Sequence, residues 1–556
     1  MFIRLQGIVI FFIVTAVTFY CQVLGATIEP AWIHNTGETM LASITFADFD
    51  LDSIGDVIAM GSYGTIFVWD IQGNTLTGWP VSYSENTPAT PAIGDVDGDG
   101  DMELIVGSWH HLYVYNHDGT QYPGWPRSYG TFSSSTLEDL DSDGDMEIIY
   151  PGKGSVLYVF EADGSNFPGF PVTIPDSSPN YIGACSVADI DGDGFCEIVA
   201  GLNRPAPSAN PSKVYVWKSD GSILSGFPVY TCGTVEAPVI GDLDGDGTKE
   251  IIAGAYCNGE HDSVYVWNNE GVLEPGWPVE AQACLRSTPS LGDLDLDGDL
   301  EILIGGMDWV SWRGQVYAFH HDGTPVQNWP VSVGTGGNIT SSPIIADIDG
   351  DTSQVEVIFK GADTIYAFHA DGTQVNGFPY FLDDQSMTPP KPTPAVGDLD
   401  SDGDIEMAFA SVAGEIHFFD EPEQCFPDIM LWTMYRHDCR NTGFYYSKNT
   451  GIKSSGKIGK SSSIKLSCNP NPFSKTTVIS FQCPLISEKE KITLSIYDLS
   501  GRLVESFRFT TDHLAPSTAV IWDGRDDSGK KLSSGVYFLR FETGEVSLTK
   551  KLLLLR

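Results

Sequence analysis

Asp95-Val-Asp-Gly-Asp-Gly-Asp-Met-Glu103 sets carboxylates at positions 1, 3, 5 and 9 of a short glycine-bearing loop. Side chains at alternate positions of such a loop can curl around one point. Calcium takes about 6–8 oxygen ligands, whereas magnesium keeps several waters and accepts fewer carboxylates, so the arrangement suits calcium. Position 7 would offer its backbone carbonyl, which frees its side chain to vary: Asp101, Asp145, Phe195, Thr248 and Asp299 stand there. The position 9 carboxylate would close the shell. Without a cation, four acids this close repel one another.

The pattern occurs eight times, at spacings of 44–54 residues. The predicted ligand sets are Asp48, Asp50, Asp52 and Asp56; Asp95, Asp97, Asp99 and Glu103; Asp139, Asp141, Asp143 and Glu147; and Asp189, Asp191, Asp193 and Glu197. They continue with Asp242, Asp244, Asp246 and Glu250; Asp293, Asp295, Asp297 and Glu301; Asp347, Asp349, Asp351 and Glu356; and Asp398, Asp400, Asp402 and Glu406. One such turn could be an acidic patch on a solvated face. Eight in register, each followed by an apolar run, predict up to eight structural calcium sites. Two loops are irregular: Asp56 replaces Glu in the first, and an extra residue sets Glu356 one step late in the seventh.

The elements that position these loops repeat with them. In the second repeat, Thr90–Gly94 reads as a short strand leading into the loop, and Glu103–Gly107 as a strand leaving it. Leu112–Tyr115 is a third strand, rich in the aromatic and branched residues that strands favour. An Asp118-Gly119 turn follows, then Gly124-Trp125-Pro126 and a fourth short strand. The Gly-aromatic-Pro signature recurs at Trp79, Phe170, Phe227, Trp277 and Phe378, while Trp329 and Phe426 keep only the aromatic-Pro part. Four short strands per repeat without helical periodicity predict a β-propeller, eight-bladed by loop count, or seven-bladed if the first and last repeats combine. The recurring aromatics are expected to plug the gaps between blades.

With these loops in Ala-Ile-Gly-Asp or Ala-Val-Gly-Asp contexts (Ala92–Asp95, Ala395–Asp398), residues of about 40–445 resemble the FG-GAP/VCBS repeats of integrin-α-like propellers. The resemblance implies that each loop joins the first two strands of a blade and binds calcium. Such propellers serve adhesins, lectin-like proteins and some polysaccharide lyases, so the fold alone does not define an activity. Trp432–Asp438 and Asn441–Gly443 resemble the closing segment of related bacterial surface propellers, and we read them as ring closure rather than an active site.

The propeller is assigned to residues 27–446, and 447–463 is a Ser/Gly/Lys linker. From residue 464 to 556, alternating strands of about 90 residues in total predict a small immunoglobulin-like β-sandwich, making the whole chain all-β. Asn469-Pro-Asn-Pro-Phe473, Ile496–Arg502, Trp522-Asp-Gly524, Ser534–Phe538 and Lys550–Arg556 resemble the C-terminal sorting domain of the type IX secretion system. That implies a Bacteroidetes-type envelope, recognition by the secretion machinery, export across the outer membrane, and surface attachment or release.

Residues 1–26 read as a signal peptide: Arg4, an apolar run from Ile8 to Tyr20, then small residues Gly25 and Ala26. No later stretch is long and apolar enough to predict a membrane span in the mature chain. Nine cysteines remain once Cys21 is removed, and Cys185–Cys196 and Cys425–Cys439 are the pairs that proximity suggests. The formal charge is −44. Residues 451–556 hold 16 Lys+Arg against 10 Asp+Glu, leaving 14 against 64 in the preceding 450, and half of those acids stand at the loop positions. So acidic a surface repels phosphate and excludes nucleic acid as a partner.

No GxSxG, HExxH, CxxC or phosphate-cradling motif is present, which points away from an enzyme. His110-His111 and His320-His321 lack an evident partner at metal spacing and read as polar side chains facing solvent. If the acidic loops share one rim, the loops joining second and third strands share the other. There Trp109, Trp309, Trp312 and Arg313 are candidates for a platform that stacks sugars or a peptide. The expected protein is a secreted or surface-displayed, calcium-stabilised module that binds a surface glycan or an extracellular protein. The alternative is a polysaccharide lyase or other glycan-active enzyme on the same scaffold.

Overall fold

A computed structural model describes residues 28–421 and 430–445, apart from 131–132, 175–180, 204–211, 258–261, 309, 336–338, 351–353, 383–391 and 401. Beyond these it describes seven strands between 465 and 554 with a few adjoining residues. The expected signal peptide and linker, and also Trp309, Asp351, Cys425 and Phe426, lie outside the described residues. Two compact units divide the chain, Met1–Gly456 and Lys457–Arg556. The described residues contain no helix.

In the first unit, each apolar run pairs with its neighbour as an antiparallel strand. Among the described residues eight sheets follow one another, one behind each acidic loop. The first is built of Thr45–Ala47, Asp56–Met60, Thr65–Trp69 and Val81–Ser82, the second of Ala92–Gly94, Glu103–Gly107 and Leu112–Asn116. The inner strands are buried on both faces, as Ile93 and Leu104 show at 0% exposure, so they read as continuous apolar runs rather than alternating ones. The chain's two ends meet in the last sheet. Trp32–Asn35, near the N-terminus, forms the outer strand of the eighth sheet by pairing with Glu415–Phe418. The ring also closes at its inner edge, where Thr393 N–H donates to Ser43 Oγ at 3.0 Å and Ser43 N–H to Thr90 Oγ1 at 3.1 Å.

The Gly-aromatic-Pro motif joins neighbouring sheets. Trp79 Nε1 donates to the His117 carbonyl of the next sheet at 3.0 Å, Trp125 to Ala162 at 2.9 Å, and Trp277 to His321 at 2.9 Å. All three rings are at most 7% exposed, so they plug the gaps between sheets. Gly78 has φ +96°, and a Cβ there would run into the Asp118 carbonyl of the adjoining turn, which explains the glycine.

Residues 430–445 run around the inside of the ring. Met430–Trp432 pairs with the inner strand of the seventh sheet. Val396 then donates its amide to Thr433 at 3.0 Å, Ile93 to Cys439 at 2.8 Å, Leu137 to Arg440 at 3.1 Å, Val187 to Thr442 at 3.0 Å and Ile240 to Gly443 at 3.0 Å. Unpaired inner-edge amides of successive sheets thus find carbonyls on one collar. Arg436, fully buried, holds the collar together by donating to the carbonyls of Cys185 and Asn441 and to Ser186 Oγ.

The expected Cys185–Cys196 bridge is absent: both thiols are free, as is Cys439. Among the described residues the disulfide joins Cys232 to Cys257, which follow the outer strand of the fourth sheet and the second strand of the fifth. In the second unit, Lys465–Asn469, Thr477–Gln482 and Ser517–Trp522 form one sheet. Leu503–Thr510, Lys491–Asp498, Gly535–Glu542 and Ser547–Leu554 form the other, as a small sandwich requires.

Candidate metal sites and the opposite rim

The loops after the first strands share a construction built from local hydrogen bonds. In the second loop, Gly100 N–H donates to Asp95 Oδ2 at 3.0 Å and Asp101 N–H to Asp99 Oδ1 at 2.9 Å. Glu103, at the start of the second strand, is 2% exposed, and its Oε2 accepts the Val96 amide at 3.1 Å. The same position 9 contact recurs from Leu140 to Glu147 (2.7 Å), Ile190 to Glu197 (2.9 Å), Leu243 to Glu250 (2.9 Å), Leu294 to Glu301 (2.7 Å) and Leu399 to Glu406 (2.5 Å). The two irregular loops conform as well. Asp56 accepts the Phe49 amide at 2.9 Å, and Glu356, despite its late position, accepts that of Ile348 at 2.9 Å.

Ligand atoms of Asp48, Asp50 and Asp52 lie within 4.8 Å of one another, as do those of Asp95, Asp97 and Glu103, and of Asp139, Asp141 and Glu147. The residues present fit a hard cation by a separate observation. Asp48 and Asp95 are at least nine-tenths buried, and in each Oδ1 has no hydrogen-bond partner. The Oδ1 atoms of Asp242, Asp293 and Asp398 are likewise buried and unmatched. A buried carboxylate oxygen without a donor is costly unless a cation meets it. Burial, followed by repulsion from the loop aspartates, pushes Glu103, Glu147 and Glu406 up to about 8 and Glu250 up to about 7. Asp56 rises to about 8 for the same chief reason.

One contributor escapes sequence reading. The residue after the last Phe, Tyr or Trp of each third strand is Asp70, Asn116, Glu161, Lys218, Asn268, His320, His369 or Asp420. Strand register sets it opposite the position 9 acid, as in Glu103–Asn116, Glu356–His369 and Glu406–Asp420. His320 therefore does have a partner: its Nδ1 lies 2.9 Å from Glu301 Oε1, while His321 Nδ1 lies 3.1 Å from Asp299 Oδ2. The signal in the sequence is the slot between that aromatic and the following turn.

On the other rim, Trp109 is 47% exposed and lines a groove of about 610 Å³ with His110, His111, Tyr129, Lys153 and Tyr158, between the second and third sheets. His111 does more than face solvent: its Nδ1 lies 2.6 Å from Glu85 Oε1, and Ser108 Oγ donates to Glu85 Oε2 at 2.5 Å. Those hydrogen bonds and the adjacent imidazole hold Glu85 below the usual carboxylate range against the opposing effect of burial. Trp312, 57% exposed, and Arg313 sit on the same rim but on the sixth sheet, four sheets from Trp109. The expected single platform therefore does not assemble; the ring separates its members.

Repeated acidic loops on a ring of three- to five-stranded antiparallel sheets define a β-propeller. Residues 48–106, 139–200, 189–253, 242–304 and 293–353 each match the FG-GAP-like repeat, and residues 467–555 match the secretion system C-terminal sorting domain. The chain thus carries FG-GAP-like repeats followed by a type IX sorting domain, which indicates secretion or attachment at the outer surface. No helix among the described residues is long and apolar enough to cross a membrane. Among curated protein sequences, none matches this one. The biofilm matrix protein Bap1 of V. cholerae is similar in structure, with 12% identity over 77% of this chain and 97% of that one, at a TM-score of 0.53. BamB of Moraxella catarrhalis (10% identity, 71% of this chain and 100% of that one, TM-score 0.47) is also similar. So is PorZ, a surface component of the type IX secretion system of Porphyromonas gingivalis (12% identity, 90% and 74%, TM-score 0.33).

Proposed function

We propose that this protein is a calcium-stabilised binding or adhesion module, exported by the type IX system and presenting a ligand face on the rim away from its acidic loops. The observation that carries the reading is the division between the rims. One is given over to near-identical carboxylate loops, several of which keep a buried, unmatched oxygen. The other carries loops of differing sequence and an open groove with an exposed indole and a lysine. Calcium held by the loops would supply charge neutralisation where each first strand meets its second. Asp95, Asp97, Asp99 and Glu103 would hold it in the second repeat, with the corresponding residues in the other repeats that bind it. Within the groove, Trp109 and Tyr129 offer flat apolar faces of the kind on which sugar rings or peptide side chains stack, and Lys153 offers a charge.

The test uses the secreted chain, with calcium, against a panel of algal, plant and host polysaccharides and matrix proteins. Retention without new chain ends supports a binding module. Unsaturated products that depend on calcium would place the protein among the glycan-active enzymes. Absence of retention on every member would overturn the ligand reading.

A further inference from the structure

The eight loops are alike in their own residues and differ in what the third strand brings to them. In the fourth repeat that residue is a lysine. Lys218 Nζ lies 2.5 Å from Asp191 Oδ2, 2.9 Å from Asp193 Oδ2 and 4.0 Å from Glu197 Oε1. Those carboxylates occupy positions 3, 5 and 9, so the ammonium meets three of the four acids that a metal would need. A second lysine acts on the same loop: Lys249 donates to the Asp189 carbonyl at 2.7 Å. Asp189 has both oxygens matched, Oδ1 by the Gly192 amide at 2.7 Å and Oδ2 by the Gly194 amide at 3.1 Å, as Asp139 does through Ser142 and Gly144, whereas Asp95, Asp242, Asp293 and Asp398 each keep a buried oxygen unmatched.

We propose that Lys218 is the built-in cation of the fourth loop, so that Asp189–Glu197 is closed by an ammonium and takes no calcium while neighbouring loops do. The inference rests on the calcium reading of the other loops. Its physical basis is charge. Three acids around one point need a counter-charge, and a tethered ammonium supplies it without the cost of recruiting an ion from solution. An incoming divalent cation would have to displace Lys218 and accept its charge nearby. The fourth loop would then hold its shape where free calcium is scarce, a fixed point in a ring whose other loops depend on the medium.

Two reciprocal substitutions test this on the full secreted chain. Asparagine already occupies the equivalent slot at Asn116 and Asn268, so Lys218→Asn is compatible with the fold. Calcium bound per chain is counted by atomic emission after gel filtration at saturating calcium. Lys218→Asn is expected to raise the count by one ion, and Asn116→Lys to lower it by one. In chelator, Lys218→Asn should melt below wild type, and calcium should restore it. An unchanged count in Lys218→Asn alongside calcium uptake by wild type would overturn the inference and leave the calcium reading standing. If Lys218→Asn fails to fold, an unchanged count in Asn116→Lys overturns it equally. A wild-type chain that takes no calcium overturns the calcium reading and this inference together.

Discussion

The two rims of the propeller are built on opposite plans. Along the acidic rim, each loop repeats one hydrogen-bond scheme, in which an amide at position 2 reaches the position 9 acid, whether that acid is Glu103, Glu406 or the shorter Asp56. Along the other rim, the second-to-third-strand connections share no scheme. Ser108–His111 is organised by Glu85, Cys257 is tied to Cys232, and Asp308 caps a turn through the Val310 amide at 2.8 Å. Uniformity is what a structural requirement leaves behind, because every sheet meets the same problem of buried carboxylates. Variety is what a binding surface needs, since loops on a rigid scaffold can change without disturbing it. The collar from 430 to 445 lies between the two plans and touches the inner strands on which both depend.

The comparison can be broken at the collar with the largest expected effect. Arg436→Ala removes three hydrogen bonds and opens a cavity at the centre of the ring. It should cost about 3 kcal/mol or more of stability, loosening both rims at once in hydrogen exchange. Protection lost on one rim alone would show that the collar does not couple them.

A smaller effect isolates one loop. Glu103→Gln keeps an acceptor for Val96 but removes the charge. With calcium at about ten times its dissociation constant, loss of one site should cost about 1.4 kcal/mol in a thermal melt. In chelator the same variant should match or exceed wild type, because the buried acid is gone. A variant that is equally destabilised in both buffers would mark Glu103 as a packing residue.

The metal-free rim should also report its acids through pH. The buried Glu103, Glu147 and Glu406 carboxyls are raised from 4.5 to about 8. Between those values the unfolded chain has released protons that the folded chain retains, so stability falls as pH rises. In chelator the melting temperature should be higher at pH 5 than at pH 8. Calcium binds the deprotonated form, so its affinity should rise over the same interval. A flat melting profile in chelator would contradict the burial of these acids.

The smallest effect on stability falls on the opposite rim. Trp109→Ala should leave the melting temperature unchanged within a degree or so while reducing ligand retention, as expected for an exposed side chain. Trp312→Ala, four sheets away, should act independently, and the double variant should show additive losses. Coupled losses would mean that one extended ligand spans the ring.

How much of this could be read in the chain follows from how local each feature is. The acidic loops, the strand quartets and the inter-sheet aromatics are short patterns repeated in register, and repetition exposed them. The C-terminal strands were legible from alternation as well, and Thr477–Gln482 and Gly535–Glu542 are among them. Features that depend on which distant segments meet were not. Trp32–Asn35 completes a sheet almost 400 residues downstream, with Phe418 opposite Trp32. Cys232 and Cys257 meet only because the fourth and fifth sheets are neighbours. Trp109 and Trp312 looked like one platform because their loops are equivalent in the repeat, yet equivalence places them on different sheets of a ring. Lys218, His320 and His369 reach their loops through strand register, which the loop motif itself does not contain.

The most direct test of the account is a calorimetric melt of the secreted chain, first in calcium and then in EDTA. The account predicts a steep fall in melting temperature on chelation, reversed when calcium is restored in excess. A melting temperature indifferent to EDTA would contradict the assignment of the acidic rim to calcium.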